Sequence, residues 1–256
     1  MAKCPYCDFA SVALNGLQAE QSMDVYARGI QTEIECALEA YPALRGRPIC
    51  SVYFGGGTPS LLHPDHVAAI LAHLRSAFPA TPDATYPDFE VTLECNPART
   101  EMEHLEAMQR AGVNRISLGV QSFRDESLHA LGRAHDSDDA RRAIDHIRAT
   151  GFPSWGLDLI FGVPDSREND FHRDLEEAAS HTPPHISVYG LTLHEGTPMQ
   201  AAWLRGEIKT PDEESQRAMF LDAREYLTRH GWEHYEISNY ALPGHRARHN
   251  TLYWQD

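Results

Sequence analysis

The chain reads as an α/β protein built on a mostly parallel sheet, and three observations predict this. Short β-rich runs recur, each closed by glycine, proline or asparagine. The stretches between them carry apolar residues at helical spacing. No internal repeat, low-complexity run or Gly/Ser linker divides the 256 residues. In chain order, Met23, Tyr26, Ile30, Ile34, Ala37, Leu38 and Tyr41 recur with the period of a helix over 21–41, with charges opposite. Ile49–Phe54 reads as a buried strand that Gly55-Gly-Gly-Thr58-Pro-Ser60 ends abruptly, and helical period returns over 64–78. Phe89–Glu94 is a second strand, closed by Asn96-Pro97, with a helix at about 100–111 stopping at Gly112. Arg115–Val120 is a third, followed by helical stretches to about residue 150. Gly156–Phe161 and His185–Tyr189 are the fourth and fifth. Helices at about 167–180 and 212–230 follow them, the last leading to Tyr235-Glu-Ile237.

Composition narrows the function. A formal net charge of −15 argues against a non-specific nucleic-acid surface, which depends on Lys and Arg. Five cysteines without framework spacing argue against a disulfide-stapled secreted protein, and a reducing cytoplasm fits. No apolar run approaches the ~20 residues of a membrane span. Fifteen histidines mostly lie singly in polar helical stretches (His63, His66, His73), which reads as a solvated face. Cys4-Pro-Tyr6-Cys7 is the exception to scatter. Cys-x-x-Cys serves zinc ribbons, thioredoxin-like sites and iron–sulfur clusters alike. Zinc would need a second ligand pair at finger or ribbon spacing, and none follows; a thioredoxin motif normally follows a strand, and none precedes.

In parallel sheets chemistry gathers at the carboxyl ends of strands. Gly56, Gly57 and Thr58 follow the first run, Glu94 lies near the end of the second and Gln121 after the third. Asp158 lies within the fourth run, where an uncompensated carboxylate would be costly, and Thr192 and Glu195 follow the fifth. Each alone has a bland reading, a tight turn at the glycines or a helix cap at Glu94; together they converge on one pocket.

Cys4-Pro-Tyr-Cys-Asp-Phe9, Tyr53-Phe-Gly-Gly-Gly-Thr-Pro-Ser60, Glu94-Cys-Asn-Pro97, Leu118-Gly-Val-Gln-Ser-Phe123 and Leu131-Gly-Arg-Ala-His135 together resemble one family. It is the radical S-adenosylmethionine (SAM) proteins of the oxygen-independent coproporphyrinogen III oxidase group. Asp158–Pro164, Ser187–Leu191 and Tyr235–Ala241 continue the resemblance. The fold it implies is a partial (β/α)6 TIM-like barrel. The oxidases carry a further cysteine where this chain has Phe9, and His249-Asn250-Thr-Leu-Tyr253-Trp254 resembles the heme-chaperone (HemW) branch. The resemblance implies a [4Fe–4S] cluster on Cys4 and Cys7, one iron left for SAM, and Tyr6 packed on the cofactor. It implies that Gly56 and Gly57 let the backbone approach the methionine moiety, with Thr58 adding a polar contact. Glu94, Gln121, Arg133 and Asp158 would hold the ribose and the carboxylate, with Thr192 along the adenosine. His249 is a candidate axial ligand of heme iron between Tyr253 and Trp254; an ordinary surface histidine is the other reading.

The family motif is Cys-x-x-x-Cys-x-x-Cys, and its first cysteine falls one residue before Met1. The expectation is therefore a core cut at both ends: Met1 an internal methionine, the first barrel strand missing, and a final small domain absent. Residues 1–256 then form a single radical SAM core domain. Within it, 1–20 are the cluster loop, 21–200 the barrel core and 201–256 the start of a C-terminal extension. The function implied is binding of heme and its transfer to an apoprotein, with an electron donor for the cluster. The alternative is oxidative decarboxylation of coproporphyrinogen III to protoporphyrinogen IX through a 5′-deoxyadenosyl radical.

Overall fold

A computed structural model describes residues 3–11, 18–78 and 89–255. Met1 and residues 12–17 of the expected cluster loop lie outside the described residues. Among the described residues seven strands form one sheet: β1 (Ser51–Phe54), β2 (Glu90–Cys95), β3 (Arg115–Gln121), β4 (Ser154–Phe161), β5 (His185–Gly190), β6 (Glu233–His234) and β7 (Asn239–Ala241). Their order is β1-β2-β3-β4-β5-β7-β6. The first five pair in parallel, as strand–helix–strand crossovers require, and β7 and β6 add antiparallel. The sheet is open, consistent with the partial barrel.

Alternation along the strands sorts the two faces. Val91 and Leu93, Ile116 and Leu118, Leu157 and Leu159, and Ile186 and Val188 all lie on one face and are buried. Against that face pack α2 (Pro64–Ala77), α4 (Leu105–Ala111), α6 (Ser137–Thr150), α7 (Glu168–Ser180) and α9 (Glu213–Arg229), and together they form the main core. The intervening residues, Tyr53, Thr92, Glu94, Arg115, Ser117, Asp158, Ser187 and Tyr189, line the opposite, polar face. In a partial barrel this polar face is the lumen. Its lower end is plugged: Arg115 donates to Ser154 Oγ at 2.8 Å, and His185 Nε2 lies 2.7 Å from the Tyr235 hydroxyl. That hydroxyl also accepts the Ala247 amide at 3.2 Å.

The remaining helices are α1 (Gln18–Ala40), α3 (Arg99–Met102), α5 (Asp125–Ala130), α8 (Pro198–Leu204) and α10 (Arg248–Leu252). The run Tyr235–Ile237 is the connection between β6 and β7. Two expectations are corrected. The helix at about 100–111 is two, α3 and α4, because Glu101 is drawn inward onto Asn96 while the next turn follows the buried Leu105 and Met108. His66 and His73 are not simply solvated: they meet Asp24 at 2.7 Å and Glu35 at 2.8 Å and fasten α1 to α2.

Candidate functional site

Most of the residues singled out from the sequence fall at the upper end of the lumen, and the geometry assembles them in three layers. The first is the glycine turn after β1. Glu94, near the end of β2, accepts the Tyr53 hydroxyl at 2.8 Å and the Gly56 amide at 3.1 Å. Burial pushes its carboxyl above the ordinary range, against these two donors. A Cβ on Gly55 would lie 2.7 Å from the Tyr53 ring and 3.1 Å from Glu94, so the smallest residue is required there. Gly56 is needed for another reason, its φ of +113°. Its Cβ position faces open space, and that of Gly57 meets Ser11 at 3.3 Å. Thr58 is half-buried at the start of the short 3-10 turn Pro59–Leu61.

The second layer centres on Arg133, half-buried after α5. Its guanidinium donates to Asn96 Oδ1 and, at 3.1 Å, to the Gly119 carbonyl. It also reaches Cys4 Sγ at 3.6 Å and the Tyr6 hydroxyl at 3.5 Å. Its buried Nε has no partner among the described residues. Gln121 sits beside it with φ of +68°, a conformation uncommon for a residue with a side chain. The sheet register shifts between Leu118 and Gln121, and the Gln121 side chain lies over Gly119, where a Cβ would come within 2.8 Å of its Nε2.

The third layer is the cysteine loop. The Cys7 amide closes a turn on the Cys4 carbonyl at 3.2 Å, and both thiols are half-buried. Tyr6 packs on the small apolar cluster of Leu131, Ile160 and Val163. Burial is the main cause that pushes its hydroxyl up to about 12. Pro5 rests on Gly132, where a Cβ would come within 2.5 Å of Pro5 Cδ and where φ is +63°. The Pro5 carbonyl accepts the Met199 amide at 3.0 Å, and Asp8 pairs with His194 at 3.2 Å.

Below these layers Asp158 is held by the Ser117 hydroxyl at 2.9 Å, and burial pushes it up to about 6. Thr192 is exposed, its hydroxyl 3.4 Å from the Gly190 carbonyl. His249 stands apart, on α10 at the β1 edge. Its ring stacks on Tyr53 at 4.5 Å, and Glu90 accepts the Arg248 and His249 amides at 2.9 and 3.0 Å.

Sequence reasoning passed over the residues that hold this arrangement. Glu101, 1% exposed, accepts the Ser60 hydroxyl and both the backbone and side-chain N–H groups of Asn96, tying the glycine turn to the turn after β2. Asp174 on α7 accepts the Ser122 hydroxyl at 2.6 Å and the Phe123 amide at 2.8 Å, fixing the turn that carries Gln121. His135 bonds the Val120 carbonyl at 3.1 Å, and burial holds its imidazole down at about 4. Asn96 and His135 lay inside motifs already quoted; Glu101 and Asp174 had no local signal.

The donor set is suited to a soft metal cluster at Cys4 and Cys7 and to an anionic group at the unpartnered Arg133 Nε. Among the described residues no group of three His, Cys, Asp or Glu converges on one point, so the loop supplies two thiol donors.

The Radical SAM superfamily profile matches residues 1–178. Heme chaperone HemW of Escherichia coli is 38% identical over 253 residues, covering 99% of this chain and 63% of that protein. HemW of Synechocystis is 37% identical over 254 residues, 99% of this chain and 60% of that protein. The chain thus spans less than two thirds of these relatives' length. Among solved structures, coproporphyrinogen III oxidase (HemN) of Escherichia coli, described as a radical SAM enzyme, superposes with a TM-score of 0.77 at 25% identity. That likeness covers 95% of this chain and 53% of the other. Profile, relatives and lumen agree: the chain belongs to the Radical SAM superfamily, the family of the [4Fe–4S] cluster and SAM.

Proposed function

We propose that this chain is the cluster- and SAM-binding core of a heme chaperone. The carrying observation is α10. It presents His249 at the β1 edge, stacked on Tyr53, beside an exposed Tyr253 and Trp254, and the Tyr253 hydroxyl lies 3.4 Å from His249 Nε2. Burial lowers the His249 pKa, in the direction of the neutral imidazole that ligates iron. Phe9 stands exposed where the oxidases carry a further cysteine, and the HemW relatives match the whole of this chain.

In this reading Cys4 and Cys7 hold the cluster and Tyr6 packs over it. Gly56, Gly57 and Thr58 receive the methionine end of SAM. Glu94, Gln121, Arg133 and Asp158 hold its ribose and carboxylate, and Thr192 lies along the adenosine. The cluster, when bound, supplies an electron to the sulfonium; the chain's own part is to orient SAM and seal the lower lumen with Arg115, His185 and Tyr235. The partners are heme, an apoprotein that accepts it and an electron donor. No described helix is long and apolar enough to cross a membrane; we place the chain in the cytoplasm.

The likeness to HemN favours a second reading, oxidative decarboxylation of coproporphyrinogen III. Hemin titration of anaerobically reconstituted protein separates the two. The chaperone reading expects a saturable Soret band that His249→Ala abolishes, and no protoporphyrinogen IX from coproporphyrinogen III with SAM and a reductant. Turnover without hemin binding would hand the site to the oxidase reading.

A further inference from the structure

Between the heme-side histidine and the SAM-side carboxylate stands one residue that neither role includes. Tyr53, half-buried on β1, offers its ring face to the His249 ring at 4.5 Å, the planes 27° apart. Its hydroxyl donates to Glu94 Oε1 at 2.8 Å. The other Glu94 oxygen takes the Gly56 amide, so the carboxylate is shared between the glycine turn and Tyr53. Gly55 lies beside the ring, so close that a Cβ there would reach it at 2.7 Å. From its far side, His249 is fixed at the helix start, where both Glu90 oxygens accept amides of Arg248 and His249. The contact between helix and sheet is therefore a short rigid chain: Glu94 to Tyr53 hydroxyl, Tyr53 ring to His249 ring.

We propose that Tyr53 is a positioning residue that couples the two sites, so that whatever engages Glu94 changes the affinity of His249 for heme. This rests on the heme-chaperone reading of His249. A ligand that draws Glu94 away leaves a half-buried tyrosine hydroxyl without the acceptor that fixes it, and the side chain is then free to swing. The ring cannot turn without disturbing the stack on which His249 rests. By linkage the effect is reciprocal: heme at His249 changes SAM affinity by the same factor.

The test is a double-mutant cycle read by the Soret band in hemin titrations of the reconstituted full chain. Glu94→Ala removes the acceptor and is expected to shift hemin affinity about threefold to tenfold, the effect of one hydrogen bond. In a Tyr53→Phe background, where the ring stays and the hydroxyl is gone, the same change is expected to shift it less than twofold. SAM, its own binding followed by equilibrium dialysis, is expected to repeat the pattern: an effect with Tyr53 and none with Tyr53→Phe. Tyr53→Leu, lacking the ring, is expected to shift the Soret maximum as well as the affinity. Equal effects of Glu94→Ala in both backgrounds would overturn the coupling, as would bound SAM that leaves hemin affinity unchanged. If instead His249→Ala leaves the Soret band intact, the chaperone reading of His249 fails, which is a separate outcome.

Discussion

The mouth of the lumen and the α10 edge below it are built differently. On the cysteine-loop side, two buried carboxylates with two or three donors each lock the turns: Glu101 holds Ser60 and Asn96, and Asp174 holds Ser122 and Phe123. On the α10 side a five-residue helix is held by the partly exposed Glu90 and by a ring stack, with Tyr253 71% and Trp254 60% exposed. The first side is part of the folding core. The second is docked onto it. A site that must present a cofactor in one geometry is preorganised by satisfied buried groups, whereas a surface that receives and gives up a cargo can rest on a few weaker contacts.

The largest test of this contrast is Glu101→Ala. It strands the Ser60 hydroxyl and two Asn96 donors in the core, at an expected cost of about 3–5 kcal/mol in urea unfolding. Glu101→Gln keeps one acceptor and should cost about half as much. Losses no larger than those of exposed positions would remove the distinction between the two sides.

Asp174 adds a pH signature. Burial pushes its folded pKa up to about 6 from an ordinary 3.8, so the folded chain holds a proton that the unfolded chain has released between these values. The stability it contributes is present below about 3.8 and is lost as pH rises through about 6. Measured against Asp174→Asn, wild-type stability should therefore fall by about 2–3 kcal/mol between pH 3.8 and 7, at 1.36 kcal/mol per unit. Asp158, also raised to about 6, should give the same sign against Asp158→Asn. A difference that is flat with pH would show that these carboxylates are not desolvated.

How much of this was legible beforehand follows from distance along the chain. The five parallel strands and their crossover helices were readable because period and turn residues are local signals, and the strand-end positions follow from the parallel arrangement. Gln121 was marked by its motif, but its left-handed backbone was not, since nothing in Gly-Val-Gln-Ser announces a register shift. Asp174 sits in a helix rich in acids and Glu101 just before Glu103, so an inward carboxylate looks like an outward one; their partners lie up to 52 residues away. α8 and α10 were missed because five to seven residues carry too little periodicity to register. Tyr53 read as one more apolar residue of a strand, since an aromatic run hides which ring faces the lumen.

A smaller effect is expected at Gly132, where the two kinds of construction can be separated. Gly132→Ala forces a Cβ to within 2.5 Å of Pro5 and onto a φ of +63°. Leu131 anchors the turn in the small apolar cluster, but the displaced partner is the cysteine loop. Stability should drop by only about 1–2 kcal/mol, while iron and sulfide retained per chain after reconstitution should fall severalfold. A fall in stability without loss of iron would mean that the loop follows the turn and keeps its geometry.

The smallest expected effect on stability is at Glu90, and it bears most directly on the contrast. Glu90→Gln leaves an acceptor for one of the two α10 amides, so the fold should lose about 1 kcal/mol or less. If α10 is a docked element, that loss is felt locally. Amide exchange at 248–252 should quicken while β2 and β3 amides keep their protection, and hemin should dissociate faster with little change in SAM affinity. Were β2 to exchange along with the helix, α10 would be part of the core after all, and the mouth and the α10 edge would be one construction.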